Sequence, residues 1–548
     1  LNLHRKTCSA QAADRRNRME AHVYPKGCVF ETLEDIKNKR VTVMGLGLNG
    51  GGEACVKFFL KHGAYVIATD MKTKEQLAPT IQSISGDKTF DHSRLTYVLG
   101  GHRIEDFTGA DCVIKNPGIR IEGNKFLAAA KAIETDISIF LHFTKAPIIA
   151  VTGSKGKSST VSAIEYGLNA SGFKAFLGGN ITVSPLTFLD QTDGTTPVVL
   201  ELSSWQLADL RGRGALKPKI AVITKIVPDH QNWYHDMDSY VNDKKLIFAD
   251  QDEKCFTILD ADSDGYLTET ANPKPECKCW GDLFASETKG QVLRYSTEQL
   301  KKGMYGVFQE KDDSGNFCGI LSLPFELRNR HAQTHGLETE CIMKKLLVPG
   351  DHMRLNVLNA SLVLYLMGIV PQQIQTVMGA WKGIPHRLEL FHEWPVTEKH
   401  KVIFYNDSCA TVPEAAAAAS QSFSKRVVII CGGTDKQLDF TPLAGTLNCE
   451  CGTKFRPLAI YLLSGTGTDK LTPMLDAKKV PYEGPFDSLE VLLNVLREDI
   501  LSKRSIFTEN DTKNVTVVFS PGATSFGMFT NEFDRGNKFK KIAAEIFK

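Results

Sequence analysis

Residues 41–46 read VTVMGL, a continuous apolar run of the length and β-branched content of a buried strand. The run enters a turn carrying Gly45, Gly47, Gly50, Gly51 and Gly52. Apolar positions then recur at helical spacing through ACVKFFLKHGAYV, and YVIATD follows as a second strand ending in Asp70. Strand, glycine turn, helix, strand and acid, in that order, predict a Rossmann-like unit whose glycines let backbone approach a phosphate at a helix N-terminus. ADCVIKNPGI (110–119) reads as another strand ending in a loop at the same sheet edge. This first domain is expected to span residues 28–144. The plainer reading of the turn is a tight strand–helix connection without a ligand.

The apolar strand 148–151 starts a second domain, expected over 145–383. It runs into Gly153, Gly156, Lys157, Ser158 and Ser159, and a helix follows. Backbone N–H groups in such a turn cradle phosphate oxygens, with Lys157 in reach of a terminal phosphate and Ser158 of magnesium. The spacing GxxGKS is shorter than the usual GxxxxGKS. Next, VVLELSSWQL (198–207) carries Glu201 to the C-terminal end of a buried strand, where ligands gather in an open α/β sheet. A carboxylate there suits magnesium, which prefers hard oxygen ligands, although capping the next helix is the ordinary use of such an acid. KIAVITKIVPDHQNWY places Asp229 and His230 after a further strand, and Lys245 lies fifteen residues beyond His230. His230 on its own would be a surface or packed histidine. Its weight comes from the order of the whole set.

Composition narrows the class. With 65 basic against 63 acidic residues, the chain lacks the charge excess of a bulk nucleic-acid binder. No stretch of 18 uninterrupted apolar residues suggests a membrane span. The 13 scattered cysteines fit reduced thiols in a cytoplasmic protein better than a disulfide scaffold. Residues 1–27 are polar and basic, lack the apolar core of a signal peptide, and are read as an extension without assigned function.

The ordered motifs resemble the Mur ligases from about residue 40 to the C-terminus. GSKGKSS is similar to that family's GTNGKST. The resemblance implies an ATP-dependent ligase of three α/β domains: a Rossmann-like N-terminal domain, a central P-loop ATPase domain and a Rossmann-like C-terminal domain over 384–548. It implies that Lys157 contacts the transferred phosphate, that Ser158, Glu201 and His230 bind magnesium, present as two ions, and that Lys245 is N6-carboxylated to help hold the second. GGNI (178–181) resembles a loop whose asparagine, Asn180, faces substrate and metal. Asn356 and Asn359 would meet the adenine, a pair three apart facing one side of a helix. WKGIPHRLE (381–389) resembles the junction to the C-terminal domain, with His386 on the UDP-substrate side and Arg387 on a nucleotide phosphate. YNDSCATVPEA (405–415) places Asp407 on the ribose, and GGTDK (432–436) supplies Lys436.

Within the family, four features point to addition of D-glutamate to UDP-N-acetylmuramoyl-L-alanine. GLGLNGGG resembles the uracil- and diphosphate-binding loop of that branch, with Leu48 and Asn49 in it and Asp70 toward the uracil. SPGATSFGMFTNEFDRGNKF (520–539) resembles SPACASFDxFxNFExRGxxF, implying that Ser525 and Phe526 hold the amino acid with Lys436. The N-terminal domain is short. The DNPR motif of the lysine- and diaminopimelate-adding enzymes is absent. Three positions depart from the pattern: Lys155 where asparagine is common, Cys409 in place of a lysine, and Glu532 in place of an aromatic, with Phe533 beside it. A monomer with small-molecule substrates, no nucleic acid and no membrane is expected.

Two other readings share parts of this pattern. A related ligase could add L-glutamate to a muramoyl peptide or a folate, but the folate version usually lacks a UDP-binding domain. A nonenzymatic nucleotide-binding regulator would not need the whole catalytic set. The segment 260–345 is expected to be a peripheral insertion, its Cys277, Cys279, Cys318 and Cys341 free thiols rather than a zinc site.

Overall fold

The structure, a computed structural model, describes residues 21–548 apart from 235, 263–264, 272, 329–338, 399, 424, 451–452, 503–513 and 526. Two compact units divide the chain. One runs to Glu310 and includes Gly319–Glu340 and Leu362–Val370; the other takes Lys311–Cys318, Cys341–Ser361 and Pro371–Lys548. The first unit holds the N-terminal sheet and the core of the central sheet, so the three α/β domains form two compact bodies.

The N-terminal sheet comprises β1 (Arg40–Met44), β2 (Tyr65–Asp70), β3 (Leu95–Leu99), β4 (Cys112–Lys115) and β5 (Ile133–Glu134). Its order is β3-β2-β1-β4-β5, and every pairing is parallel. The chain winds outward from β1 on one side and from β4 on the other. The crevice beyond the C-terminal ends of β1 and β4 is therefore the switch point where such sheets bind ligands.

The central sheet starts with β6 (Ile148–Thr152), β7 (Phe176–Gly179), β8 (Val198–Glu201), β9 (Ile220–Ile223) and β10 (Phe256–Asp260). β11 (Gln291–Ser296) and β12 (Gly306–Lys311) continue it, and β13 (Phe317–Ser322) and β14 (Thr339–Met343) follow in the chain. β6 lies between β8 and β9, parallel to both. All five residues of β6 are buried, as are all four of β8 and of β9. That explains their unbroken apolar runs: a parallel strand covered on both faces has no solvent side to alternate with.

Part of the segment 260–345 is built into the central sheet. β11 pairs in parallel with β10 from Phe256↔Gln291 to Asp260↔Tyr295, and β12 pairs with β11, so the segment extends the central sheet. Cys277 and Cys279 are buried free thiols, and Cys279 precedes the helix Trp280–Ala285. No disulfide joins the described cysteines.

Residues 21–27, read as part of an extension, are built into the first unit, while 1–20 lie outside the described residues. Tyr24 is buried, its N–H donates to the Arg211 carbonyl, and its hydroxyl donates to Asp209 Oδ1 at 2.9 Å. The Arg213 guanidinium lies over the Tyr24 ring and 2.8 Å from Glu134 at the end of β5. Lys115, at the end of β4, lies 2.9 Å from Asp209. These buried ion pairs tie β4 and β5 to the central domain. Breaking one side of such a pair leaves an uncompensated charge.

The second unit carries β15 (Glu389–Pro395), β16 (Lys401–Asn406), β17 (Val428–Gly432), β18 (Ala459–Leu463), β19 (Glu483–Phe486) and β20 (Asn514–Phe519). Their order is β15-β16-β20-β17-β18-β19, with only β15 antiparallel to its neighbour. The ends of β16, β20 and β17 deliver Asp407, Ser520 and Gly433 to one sheet edge.

Candidate functional site

The phosphate loop leaves the buried end of β6. Gly153 has φ 145° and Gly156 φ 91°, and Gly156 precedes the helix Lys157–Ala170. A Cβ on Gly153 would stand 2.0 Å from Thr224 Oγ1, so the position admits no side chain. The loop is pinned to the strand beside it: Ser154 N–H donates to the Lys225 carbonyl at 2.9 Å, and Ser154 Oγ donates to the Val227 carbonyl at 2.8 Å. Lys157 Nζ donates to the Gly153 and Ser154 carbonyls at 3.0 and 3.1 Å. Ser158 and Ser159 sit half-buried in the first helical turn. A helix N-terminus, its donors and a lysine thus converge as phosphate binding requires. Lys155, exposed, reaches Asp229 at 3.4 Å.

Glu201 ends β8 beside this loop and is buried. Its Oε1 accepts from Asn180 Nδ2 at 3.0 Å, and its carbonyl accepts from Asn180 N–H at 2.8 Å. Its Oε2 is buried with no hydrogen-bond partner among the described residues. A buried carboxylate oxygen left without a donor is costly unless something else completes it. The chemistry of that oxygen suits a hard cation. Among the described residues, no group of three or more His, Cys, Asp and Glu forms a metal cage. Magnesium usually keeps water and substrate phosphate in its shell, so a partial set of Glu201, Ser158 and His230 is compatible with it.

His230 stands exposed on a left-handed backbone, φ 53°. Its ring packs 4.8 Å from that of Trp205, which in turn lies 4.9 Å from Trp233. Tyr240 closes the group, 6.3 Å from His230, and its hydroxyl lies 3.0 Å from Ser154 Oγ in the phosphate loop.

The expectation for Lys245 is corrected. Lys245 Nζ pairs with Glu287 at 2.8 Å, away from the loop. The inward lysine is Lys244: its side chain is buried, and its Nζ donates to the Gly153 carbonyl at 2.9 Å. The helix Met237–Lys244 ends there, and Lys245 starts a 3-10 turn that faces the other way. Burial, then the Lys157 ammonium, push the Lys244 amine well below the ordinary lysine range.

At the N-terminal switch point lies a cavity of about 640 Å³. Leu48, Asn49 and Asp70 line it. Asp70 also fixes the turn, accepting from Gly47 N–H and Lys72 N–H, each at 2.9 Å. The sequence reading missed Lys72, His102, Asn116 and Phe126 in the same wall. His102 comes from a loop and Phe126 from the short helix Lys125–Ala128, with no local pattern to mark them, whereas Asn116 sits in the NPGI loop already placed at this edge. A Cβ on Gly50 would lie 3.3 Å from the Thr182 carbonyl, so the glycine turn meets the loop that carries Asn180.

In the second unit Asn356 and Asn359 are buried, and Asn359 Oδ1 has no partner among the described residues. Asp407 accepts from Ser520 Oγ at 2.6 Å and from Leu388 N–H at 3.1 Å. Burial pushes its carboxyl up to about 7. Arg387 is exposed. His386 is enclosed: its Nδ1 lies 2.8 Å from Asn406 Nδ2, and a Cβ on Gly536 would fall 2.1 Å from that nitrogen. Its Nδ1 side thus packs as a strut of this domain. Lys436 is exposed on the loop after β17. That loop is bridged at Thr434 to Thr524, next to buried Ser525. Phe526 lies outside the described residues. Arg535, buried, donates to both Ser408 and the Ala523 carbonyl, joining the Asp407 loop to the Ser525 loop. Cys409 is half-buried, and burial pushes its thiol up to about 11.

The Mur ligase middle domain matches residues 151–364, and the Mur ligase MurD-like N-terminal domain matches residues 39–139. UDP-N-acetylmuramoylalanine--D-glutamate ligase of Treponema pallidum is 38% identical, with 93% of this chain and 98% of that one aligned. The protein of the same name from Borreliella afzelii is 36% identical over 93% of this chain and 98% of its own. Among solved structures, MurF from Acinetobacter baumannii superposes with a TM-score of 0.54 at 12% identity, covering 96% of this chain and 99% of that chain. UDP-N-acetylmuramate-alanine ligase MurC from Thermotoga maritima gives 0.51 at 15%, covering 93% and 100%. The structural likenesses show a shared fold, and the sequence relatives show kinship: the chain belongs to the Mur ligase family.

Proposed function

We propose that this protein joins D-glutamate to UDP-N-acetylmuramoyl-L-alanine at the expense of ATP, in the cytoplasm and as a monomer, for peptidoglycan precursor synthesis. The observation that carries the reading is the junction in the first unit. A nucleotide-sized cavity at one sheet's switch point meets, through the loop of Asn180, a phosphate loop flanked by the unpartnered Glu201 oxygen. The relatives named above carry that substrate in their names.

The chemistry is activation of a carboxylate followed by aminolysis. The terminal carboxylate oxygen attacks the γ-phosphorus of ATP; the bond from that phosphorus to the ADP oxygen breaks, leaving ADP and an acyl-phosphate. Lys157 and the loop amides offset the charge on the transferred phosphoryl group. Neutral D-glutamate amine attacks the acyl carbon, forming a tetrahedral intermediate. The carbon–oxygen bond then breaks, phosphate leaves with an oxygen of the former carboxylate, and the amine proton passes to a base.

Ser158, Glu201 and His230 would hold magnesium, which when bound supplies charge stabilisation at phosphate oxygens. Lys244 replaces Lys245 as the candidate carbamate. Burial disfavours the charged form of this amine, and its deprotonated form can add CO2 to give a carbamate and a proton; the resulting anion would suit a second magnesium. Asn356 and Asn359 serve the adenine, Asp407 the ribose and Arg387 a phosphate. Lys436 and Ser525 serve the incoming amino acid, with Cys409 unable to supply the charge of the family lysine.

Substrate carrying 18O in its terminal carboxylate tests the mechanism. Appearance of 18O in released phosphate, with amide product, supports it. Unlabelled phosphate would refute an acyl-phosphate route.

A further inference from the structure

Arg120 lies one residue past Ile119, which lines the N-terminal cavity, and reaches the short helix Gln231–Tyr234 that follows His230. Its guanidinium carbon stands 4.9 Å from the Trp233 ring centre, and its Nη2 donates to the Trp233 carbonyl at 3.2 Å. Trp233 packs on Trp205, and Trp205 on His230. One arginine from the N-terminal domain therefore stands between the cavity wall and the aromatic group beside the phosphate loop.

Three observations favour a ligand role. The side chain is 45% exposed, so it is not consumed as a buried strut. Glu122 lies 3.8 Å away, a distance that leaves the planar guanidinium with N–H donors to offer. Lys72 is the one lysine or arginine among the cavity-lining residues. His102 adds little positive charge, because burial lowers its pKa below the usual histidine value. A nucleotide-linked acid brings both a diphosphate and a carboxylate through this region, more anionic oxygen than Lys72 alone can meet. Stacking on an aromatic ring pre-orients the guanidinium for such an oxygen.

We propose that Arg120 is a substrate-recognition residue that binds an anionic group of the nucleotide-linked acid as it runs from the cavity toward the phosphate loop. The proposal rests on the reading of the substrate given above. It names a contact that the sequence motifs do not contain, since Arg120 follows the NPGI loop without belonging to a phosphate-binding pattern.

The test is direct binding, by calorimetry without ATP, of UDP, UDP-N-acetylmuramoyl-L-alanine and its terminal carboxamide to wild type, Arg120→Gln and Arg120→Lys. Thermal melting of each variant accompanies it. If the contact is to the carboxylate, wild type prefers acid to amide, Arg120→Gln loses about tenfold on the acid alone, and the preference collapses. If it is to the diphosphate, Arg120→Gln loses about tenfold on all three ligands. In either case Arg120→Lys recovers part of the loss. Unchanged affinity of Arg120→Gln for all three ligands overturns the proposal, as does a loss that tracks a lowered melting temperature and is not recovered by lysine. Wild type that binds UDP but neither acid nor amide more tightly would overturn the substrate reading itself, and this proposal with it.

Discussion

Lys244 and Gly153 are joined by a 2.9 Å hydrogen bond from the buried amine nitrogen to the phosphate-loop carbonyl. The bond places the end of the helix Met237–Lys244 against the loop that also carries Lys157. Two amines sharing one carbonyl environment repel each other as cations, which favours a neutral Lys244.

This gives a prediction at adjacent residues. Lys244→Ala should lower kcat by at least about a hundredfold, the scale of losing a well-placed electrostatic group. Lys245→Ala removes only a pair with Glu287 and should stay within about threefold. With 13C-labelled CO2, a carbamate signal should be present in wild type and Lys245→Ala and missing in Lys244→Ala. The reverse pattern would restore Lys245 to the role the sequence reading gave it.

A second prediction concerns how Glu201 is aimed. Gly179 has φ 100°, and a Cβ there would fall 2.1 Å from the Glu201 carbonyl. Gly179→Ala should therefore displace β7 from β8 and disturb the Asn180–Glu201 bond. Asn180→Ala removes the donor to Glu201 without that clash. Both variants should weaken magnesium binding, seen as a higher metal concentration for half-maximal rate, but only Gly179→Ala should lower the melting temperature by several degrees. Equal melting temperatures would show that the sheet accommodates the methyl.

Asp407 sets a pH dependence of stability. Burial raises its carboxyl from 3.8 to about 7 in the folded chain. Between those values the folded state holds a proton that the unfolded state has released. Stability from this group is thus greatest at low pH, declines as pH rises from about 4 to about 7, and levels off above that. Asp407→Asn keeps the shape without titrating. Relative to it, wild type should lose melting temperature between about pH 4 and pH 7 and run parallel above that. Parallel curves would mean that Asp407 is ionised throughout.

The parts of the site legible in the sequence were those written into one short segment. Gly153, Gly156 and Lys157 sit within five residues, and the glycine turn at 45–52 declares its own geometry. Residues that depend on a loop length or on helical phase were not legible. Counting fifteen residues from His230 selects Lys245, yet the end of a helix at Lys244 decides which lysine turns inward. His386 carried a motif but is committed to Asn406 and Gly536, a use that only packing reveals. The strands of 291–296 and 306–311 were masked by an apparent surplus of length, although the pairing of the first with β10 and of the second with the first makes them part of the sheet.

The central claim is the identity of the acid and the amino acid joined. Purified protein with ATP, magnesium and UDP-N-acetylmuramoyl-L-alanine should release phosphate when D-glutamate is present, with a product heavier by one glutamyl residue on mass spectrometry. L-glutamate should give neither. Product with L-glutamate alone, or no ligation with either isomer, would contradict the account.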